Sequence, residues 1–308
     1  MNPVGASLFG SPVVIEDTVV IGMTDTELEA DSPRFRAAVV ALDLEDGSER
    51  WRLHTDPDDG SEYWVSVWST AGYDPDRGVI FVGTGDTNQP GSGGPGSPSE
   101  RAGLDLPLAD GVLAIEQSTG DMVWFYKLVE EDLRRDFDVG AGPNLFTVDG
   151  RDVVGAGGKS GDYVLLGRDT GEEIWKTHLT EGSPLGGVMS TAAVADGVIY
   201  VASNDAGARG TVFALDAASG SIIWRQEFTS PIIGSVSLAN DVLYRGTFGG
   251  EVVAMDADDG SVLWSHGLDA PVVGGIAIAN GMIYVGFGTG TPGELGPADG
   301  GLAAFTPP

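Results

Sequence analysis

The chain of 308 residues contains no cysteine, and it has only three lysines and three histidines. Without cysteine it can form no disulfide framework, no thiolate zinc site and no covalent link to a c-type haem. The histidines, His54, His178 and His266, each follow a tryptophan by two or three positions. We therefore expect them on outer strands beside packing residues, where they are poor candidates for a metal site.

Basic residues are scarce throughout, with 16 Lys and Arg against 46 Asp and Glu and a formal net charge of -30. Because phosphate groups are bound by clustered Lys and Arg, this balance argues against nucleic acid and anionic membrane surfaces as partners. No stretch approaches the ~20 apolar residues that span a bilayer, and no signal peptide is visible after Met1. The sequence predicts a soluble chain, or one whose beginning is missing.

The acidic, lysine-poor composition is similar to that of proteins from salt-loving archaea, which implies a halophilic, haloarchaeal protein whose self-repulsion is screened by salt. With 42% apolar residues interspersed among the acids, the chain is not expected to be disordered. It contains no Gly-x-Ser-x-Gly elbow, Walker loop or strand-glycine-helix unit. These absences argue against hydrolase, NTPase and nicotinamide chemistry.

A phrase that begins Ala41-Leu42-Asp43 and ends in Trp51 returns five times, and its glycine always precedes its tryptophan by four positions. Each copy reads as a β-hairpin, with the glycine at a turn position of positive φ and the tryptophan packed inward. The glycine and tryptophan pairs are Gly47 and Trp51, Gly120 and Trp124, Gly171 and Trp175, Gly220 and Trp224, and Gly260 and Trp264.

A second hairpin precedes each phrase, so that four antiparallel strands recur every ~40 to 50 residues. The sequence therefore predicts an all-β chain: a β-propeller of four-stranded antiparallel blades, nearly without helix, in a single domain over 1–308. Six first hairpins begin near Ser11, Ala71, Pro143, Thr191, Ser235 and Gly275. The last has no tryptophan strand and Met1 to Phe9 is a poor strand, so we expect an incomplete sixth blade and missing upstream blades.

Two insertions break the spacing, one rich in Gly, Pro and Ser from Thr87 to Gly111, and one that is charged from Val129 to Asp136. Both are predicted to be loops. Long loops on a rigid scaffold often carry function, although a surface excursion is the favoured interpretation of the first.

The repeated phrase resembles the repeat of the pyrroloquinoline-quinone (PQQ) dehydrogenases, and the chain resembles the catalytic propeller of quinoprotein alcohol dehydrogenases, especially the polyvinyl-alcohol dehydrogenase-like branch. The segment from Val67 to Asp86 is similar to the family order Trp…Tyr-Asp-Pro…Gly-Thr-Gly-Asn. The repeat is also shared by a non-catalytic outer-membrane-assembly lipoprotein. Activity must therefore be argued from the site.

The resemblance implies a stacking role on PQQ for Trp68, which lies outside the repeated phrase; the alternative is a packing tryptophan. It implies that Asp86, which stands where the family has Asn, and Glu27 bind Ca²⁺, a cation that prefers oxygen ligands. Glu29 is an alternative to Glu27. A solvated turn residue is the alternative interpretation of Asp86.

The resemblance also implies that Asp136 is the catalytic base and that Lys159 contacts the quinone oxygens, where a cation would stabilise developing negative charge. Arg36 and Asn204 are weaker matches to cofactor-facing positions. Where the polyvinyl-alcohol branch has Cys-Cys before Phe-Arg, this chain has Ser32 to Arg36. The disulfide that packs on the cofactor in that branch is therefore lost.

These resemblances imply a PQQ- and Ca²⁺-dependent oxidation of a small-molecule or polymeric alcohol, a separate electron acceptor, and an extracytoplasmic location. The alternative is a non-catalytic propeller that binds protein partners of the cell envelope. If the chain is an enzyme, we expect Glu27, Trp68, Asp86, Asp136 and Lys159 to converge at one mouth of the propeller.

Overall fold

The computed structural model describes residues 6–25, 37–56, 63–88, 105–132, 135–207, 209–288 and 300–306. Within these ranges the chain forms strands, turns and loops but no helix, and hence no helix that could cross a membrane. Every strand pairing is antiparallel, and six successive sheets follow one another along the chain. The predicted all-β fold with propeller blades is confirmed.

The strands follow the predicted hairpins closely. The first sheet contains β1 (Ala6–Ser7), β2 (Val13–Ile15), β3 (Thr18–Asp25), β4 (Ala38–Asp43) and β5 (Glu49–His54). The second contains β7 (Gly72–Asp74), β8 (Val79–Gly83), β10 (Gly111–Glu116) and β11 (Met122–Lys127), while β6 (Trp64–Val65) and β9 (Thr87–Asn88) pair with each other. The third contains β12 (Asn144–Val148), β13 (Arg151–Gly157), β14 (Asp162–Gly167) and β15 (Glu173–His178).

The remaining three sheets repeat the pattern. The fourth contains β16 (Ala193–Ala195), β17 (Val198–Asn204), β18 (Gly210–Asp216) and β19 (Ile222–Phe228). The fifth contains β20 (Ser237–Ala239), β21 (Val242–Gly246), β22 (Glu251–Asp256) and β23 (Val262–Gly267), and the sixth contains β24 (Ala277–Ala279), β25 (Met282–Phe287) and β26 (Gly301–Phe305). We call these sheets blades 1 to 6. Within the ranges that the structure describes, blade 6 has three strands, as expected.

The short first strands of neighbouring blades lie against each other, β7 against β12, β16 against β20 and β20 against β24. These strands therefore form the inner ring, and the strands that carry the repeated tryptophans form the outer edge. His54, His178 and His266 lie on these outer strands, as predicted. Between the blades the core consists mainly of Val, Ile, Leu and Ala side chains, most of them from the middle strands, together with aromatic side chains such as Phe81 and Tyr200.

The repeated glycine and tryptophan join neighbouring blades. The indole of Trp124 in blade 2 lies against Gly171 in blade 3, and its Nε1 donates a hydrogen bond to the carbonyl oxygen of Arg168 at 3.1 Å. Trp51, Trp175 and Trp224 dock in the same way on the glycine of the following blade. In blade 5 the indole of Trp264 packs on Phe305 of blade 6. The repeated phrase therefore provides packing contacts that hold neighbouring blades together.

Two short strands depart from the sequence-based expectation. Ala6 and Ser7 pair with the end of β3, although Met1 to Phe9 had been expected to be a poor strand. The start of the first insertion forms β9, which pairs with β6, and Leu106 and Ala109 near its end are buried against Val65. The described ends of that insertion therefore pack on the propeller instead of forming a surface excursion.

We expect alanine at Gly171 to destabilise the chain more than alanine at Gly47. Both glycines have positive φ, +68° and +71°, a conformation that costs an alanine about 1–2 kcal/mol. A Cβ at Gly171 would lie 2.5 Å from the Trp124 ring, whereas nothing lies within 4 Å of a Cβ at Gly47. Overpacking adds about 1–3 kcal/mol at Gly171. Urea unfolding of Gly171→Ala and Gly47→Ala measures this difference, and equal losses of unfolding free energy would contradict the docking role.

Candidate active site

The candidate site is built where blade 2 meets the linker to blade 3. Strand β8 ends at Gly83, and the chain continues through Gly85 to Asp86, whose backbone N–H donates to Asp138 Oδ1 at 2.6 Å. A Cβ at Gly83 would lie 2.0 Å from the carbonyl oxygen of Val139. Only glycine lets the linker approach β8 this closely. The motif that resembles Gly-Thr-Gly-Asn is therefore a backbone contact that brings Asp86 and Asp138 together.

The conformation of the charged linker between blades 2 and 3 is fixed by a buried carboxylate. Asp132 is nearly inaccessible, and it accepts hydrogen bonds from the backbone N–H groups of Arg135 at 2.7 Å and Phe137 at 2.8 Å. Between them Asp136 has a φ of +62°. Such a conformation is uncommon outside glycine, asparagine and aspartate, and persists where the surroundings fix it. The turn presents the Asp136 carboxylate towards Lys159.

Lys159 is the cation at the centre of the site. Its side chain is 9% exposed, its Nζ lies 3.1 Å from Asp136 Oδ2, and it forms a second, shorter ion pair with Asp138 Oδ2. Its backbone N–H also donates to the carbonyl oxygen of Asp138 at 2.9 Å. Burial opposes the charge on Lys159, but the attraction of Asp138 and Asp136 outweighs it and raises the pKa of the ammonium group. Lys159 is therefore protonated at neutral pH.

Trp68 contributes the aromatic surface. Lys159 Nζ lies 5.5 Å from the centroid of its ring, within the range of a cation–π interaction. The other end of the indole packs on the linker, because a Cβ at Gly140 would lie 1.7 Å from Trp68 Cη2. Unlike the repeated tryptophans, Trp68 is positioned by the linker and not by a neighbouring blade's turn glycine.

Asp110 is a buried carboxylate that sequence reasoning missed. Its side chain is inaccessible to solvent, its φ is +56°, and its backbone N–H donates to the carbonyl oxygen of Gly85 at 3.0 Å. Among the described residues, none donates a hydrogen bond to either carboxylate oxygen. Burial and the negative charges of Asp138 and Asp132 raise its pKa well above the usual range. No local pattern indicated this residue, whereas Asp138 could have been found from its place two positions after Asp136.

The predicted residues separate into three groups. Trp68, Asp136 and Lys159 meet directly, and Asp86 joins them through Asp138. The side chain of Asn204 binds the linker after blade 4: its Nδ2 donates to the carbonyl oxygen of Ile232 at 2.9 Å and its Oδ1 accepts from the Ile232 N–H at 2.7 Å. A cofactor contact by Asn204 stays a prediction. Glu27, its alternative Glu29, and Arg36 lie outside the described residues.

A cleft of about 360 Å³ between blades 3 and 4 is a competing location. Its walls combine charges of both signs from His178, Glu181, Asp205, Arg209, Arg225 and Glu227. None of the predicted site residues lines it. We place the site at Lys159 because the aromatic face, the buried cation and the converging carboxylates are found there together.

Two family profiles match successive parts of the chain. The sequence profile described as "Glucose/ethanol/alcohol dehydrogenase, beta-propeller domain" matches residues 4–184, and the profile "Outer membrane protein assembly factor BamB" matches residues 208–306. The first range contains Trp68, Asp86, Asp136 and Lys159. The residues that meet in space are therefore all in the part of the chain that matches the dehydrogenase profile.

Individual relatives are longer than this chain. A polyvinylalcohol dehydrogenase from Pseudomonas sp. is 27% identical over 260 residues, which cover 71% of this chain and 39% of the relative. Quinohemoprotein alcohol dehydrogenase ADH IIB from Pseudomonas putida is 28% identical over 200 residues, which cover 54% of this chain and 27% of the relative. These relatives are bacterial, so the expected haloarchaeal origin gains no support from them.

The solved structures confirm the fold. The quinohemoprotein alcohol dehydrogenase of Comamonas testosteroni superposes with a TM-score of 0.75 at 18% identity, covering 92% of this chain and 56% of that one. The chain thus spans little more than half of this structural relative and about two fifths of the Pseudomonas dehydrogenase. Since a dehydrogenase propeller profile matches more than half of the sequence, the chain belongs to the family of PQQ-type β-propeller domains of glucose, ethanol and alcohol dehydrogenases.

Proposed function

We propose that this chain is the quinone-binding propeller, or part of it, of a PQQ-dependent dehydrogenase that oxidises an alcohol with the assistance of Ca²⁺. The observation that supports the proposal is the meeting of Trp68, Asp136 and Lys159, three residues of different blades and linkers, at one point. The alcohol is a small molecule or a polymer, and the electrons leave through a separate acceptor.

The residues present fit a planar, anionic quinone. The indole of Trp68 is half-buried and held by Gly140, so a flat aromatic surface is fixed in place. The ammonium group of Lys159 lies beside that surface and is the one cation that the described residues bring to it. A quinone oxygen beside Lys159 would be stabilised as negative charge develops.

The charge of the site fits a divalent cation as well. Asp136 and Asp138 pair with Lys159, Asp138 also accepts the backbone N–H of Asp86, and the negative charges of Asp138 and Asp132 act on the buried Asp110. Oxygen ligands of this kind are those that Ca²⁺ prefers. Among the described residues, no three acidic or histidine side chains are arranged to hold a metal ion. The proposed Ca²⁺ site therefore combines Asp86 with Glu27, which lies outside the described ranges.

The chain's own residues then have distinct roles. Bound PQQ supplies the group that accepts a hydride from the alcohol carbon. Asp136 takes the hydroxyl proton on a carboxylate oxygen; it can do so while paired with Lys159, because a carboxylate has about four acceptor positions. Asp138 holds Lys159 through its Oδ2 and the Asp86 backbone through its Oδ1. It is thus a positioning residue for both.

We expect Trp68→Ala to weaken PQQ binding roughly 10–100-fold, because stacking and burial of an aromatic face contribute about 1.5–3 kcal/mol. Binding would be measured by calorimetric titration of PQQ in Ca²⁺ and high salt. Trp264→Phe is the matched control, since Trp264 packs on Phe305 in the far blades and its replacement should leave the affinity unchanged. A full-length gene product that binds no PQQ would exclude the proposal.

The second candidate is a non-catalytic propeller that binds protein partners of the cell envelope. The profile match of residues 208–306 to an outer-membrane assembly factor and the missing cysteine pair favour it. A scaffold does not require PQQ, so it would tolerate Asp136→Asn and Trp68→Ala without loss of partner binding. For either function we propose an extracytoplasmic location, as in the resembling enzymes.

A further inference from the structure

Arg245 is a charged residue at a repeat position that is otherwise apolar. It lies on β21, the second strand of blade 5, one residue before Gly246. The equivalent residues of the other blades, aligned by their hairpins, are Ile21, Val82, Ala156, Val201 and Val285. Packing at this position therefore needs only an aliphatic side chain. Packing alone therefore does not explain why blade 5 has an arginine at this position.

The guanidinium group is buried without compensation. Arg245 is 0% exposed, and its face lies over the Phe228 ring with Cζ 3.1 Å from the ring centroid. Among the residues that the structure describes, none accepts a hydrogen bond from Nε, Nη1 or Nη2. The Phe228 ring covers one face of the guanidinium group, but the N–H donors of the guanidinium lie in its own plane and do not point at the ring. The ring therefore leaves all five donors unsatisfied.

Nearby carboxylates do not neutralise Arg245. Glu251, which begins β22 on the same sheet, attracts it electrostatically but forms no ion pair with it. Burial lowers the pKa of Arg245 to about 9, which leaves the group charged at neutral pH. Burying a charge without a partner destabilises the fold by several kcal/mol. A native protein therefore usually buries a charged side chain only where a counter-charge lies beside it. A water molecule could accept hydrogen bonds from the guanidinium but would not cancel its charge.

We propose that Arg245 holds a small monovalent anion, of the size of chloride, between blades 4 and 5. A side chain of a partner protein cannot serve, because Arg245 has no accessible surface. A monatomic ion is the smallest anion available, and the side chains packed around the guanidinium must move apart by local fluctuations to admit it. In a chain with a net charge of -30, a buried guanidinium supplies the local positive charge that binding of an anion requires. The anion stabilises the junction of these two blades.

The test compares thermal unfolding in sodium chloride with unfolding in sodium gluconate at equal ionic strength, since gluconate is too large to enter. Chloride is expected to raise the melting temperature of the parent chain by roughly 2–6 °C relative to gluconate. Arg245→Val, which installs the residue of blades 2, 4 and 6, is expected to lose this difference. In gluconate Arg245→Val should match or exceed the parent's stability, because it removes a charge without a partner.

Two further measurements separate the alternatives. Crystals soaked in sodium bromide are expected to show anomalous density in contact with the Arg245 guanidinium, which water would not give. Glu251→Gln is expected to keep the chloride-specific shift. If the shift is equal in the parent and in Arg245→Val, or if bromide is absent from Arg245, the anion site is excluded. If instead the parent shows no shift and Glu251→Gln acquires one, Glu251 is the counter-charge and the proposal fails.

Discussion

Replacing Lys159 with methionine is expected to lower the free energy of unfolding by about 3–5 kcal/mol, the usual cost of removing one partner from a buried ion pair. Lys159 and Asp138 have side chains that are 9% and 6% exposed, and Asp86 and Asp110 are buried close by. Without the ammonium group, three buried carboxylates would repel one another in a site of low dielectric. Urea unfolding in the absence of added metal and cofactor measures the loss.

The chain offers a matched control and a rescue for this change. Lys176 lies on the outer strand β15 and is exposed, so Lys176→Met should change the unfolding free energy by less than about 0.5 kcal/mol. Adding Asp138→Asn to Lys159→Met removes the stranded charge and should recover most of the stability. A loss below about 1 kcal/mol for Lys159→Met would mean that the pair does not organise the site.

Asp136→Asn is expected to lower the turnover of alcohol by roughly 10²–10⁴-fold, the range that general-base catalysis contributes. This prediction rests on the proposed function. Asparagine tolerates the positive φ of this position, and the Asp136 side chain is 25% exposed, so the fold should be little affected. Dye reduction in the presence of PQQ, Ca²⁺ and high salt measures the rate, and titration of PQQ should give a nearly unchanged affinity.

Asp149→Asn provides the comparison for Asp136. Asp149 also has positive φ, +49°, but it is exposed in the turn between β12 and β13. Its replacement should leave both turnover and stability unchanged. Full activity in Asp136→Asn, with bound PQQ, would assign the proton transfer to another group.

The repeated phrase predicted the fold because its information is local. A glycine with positive φ and a tryptophan four residues later specify a hairpin in any context, and all five glycines have the expected φ. Six first hairpins were expected and six were found, each within two residues of its predicted start. What the phrase could not show is that four of the five tryptophans dock on the glycine of the next blade, since that contact joins residues 36 to 69 positions apart.

The site was predictable in part. Trp68, Asp136 and Lys159 were found because they stand in segments that resemble the family, and the structure brings them into contact. Asp138 was overlooked although it was in the same segment, and Asp110 had no sequence signal at all. Its burial results from the backbone bond to Gly85, which lies 25 residues earlier. The sequence around Arg245 gave no indication that its side chain is buried.

The sequence by itself therefore determined the hairpins and their number, because turn geometry and strand alternation depend on neighbouring residues. Tertiary structure alone decided which charges share a site. Asp86, Asp138 and Lys159, separated by as many as 73 positions, are linked because glycines let the linker rest on β8. Whether a carboxylate is solvated or buried beside another carboxylate depends on such long-range packing. Burial and neighbouring charges shift the pKa of an acidic residue, and such shifted residues are concentrated at functional sites.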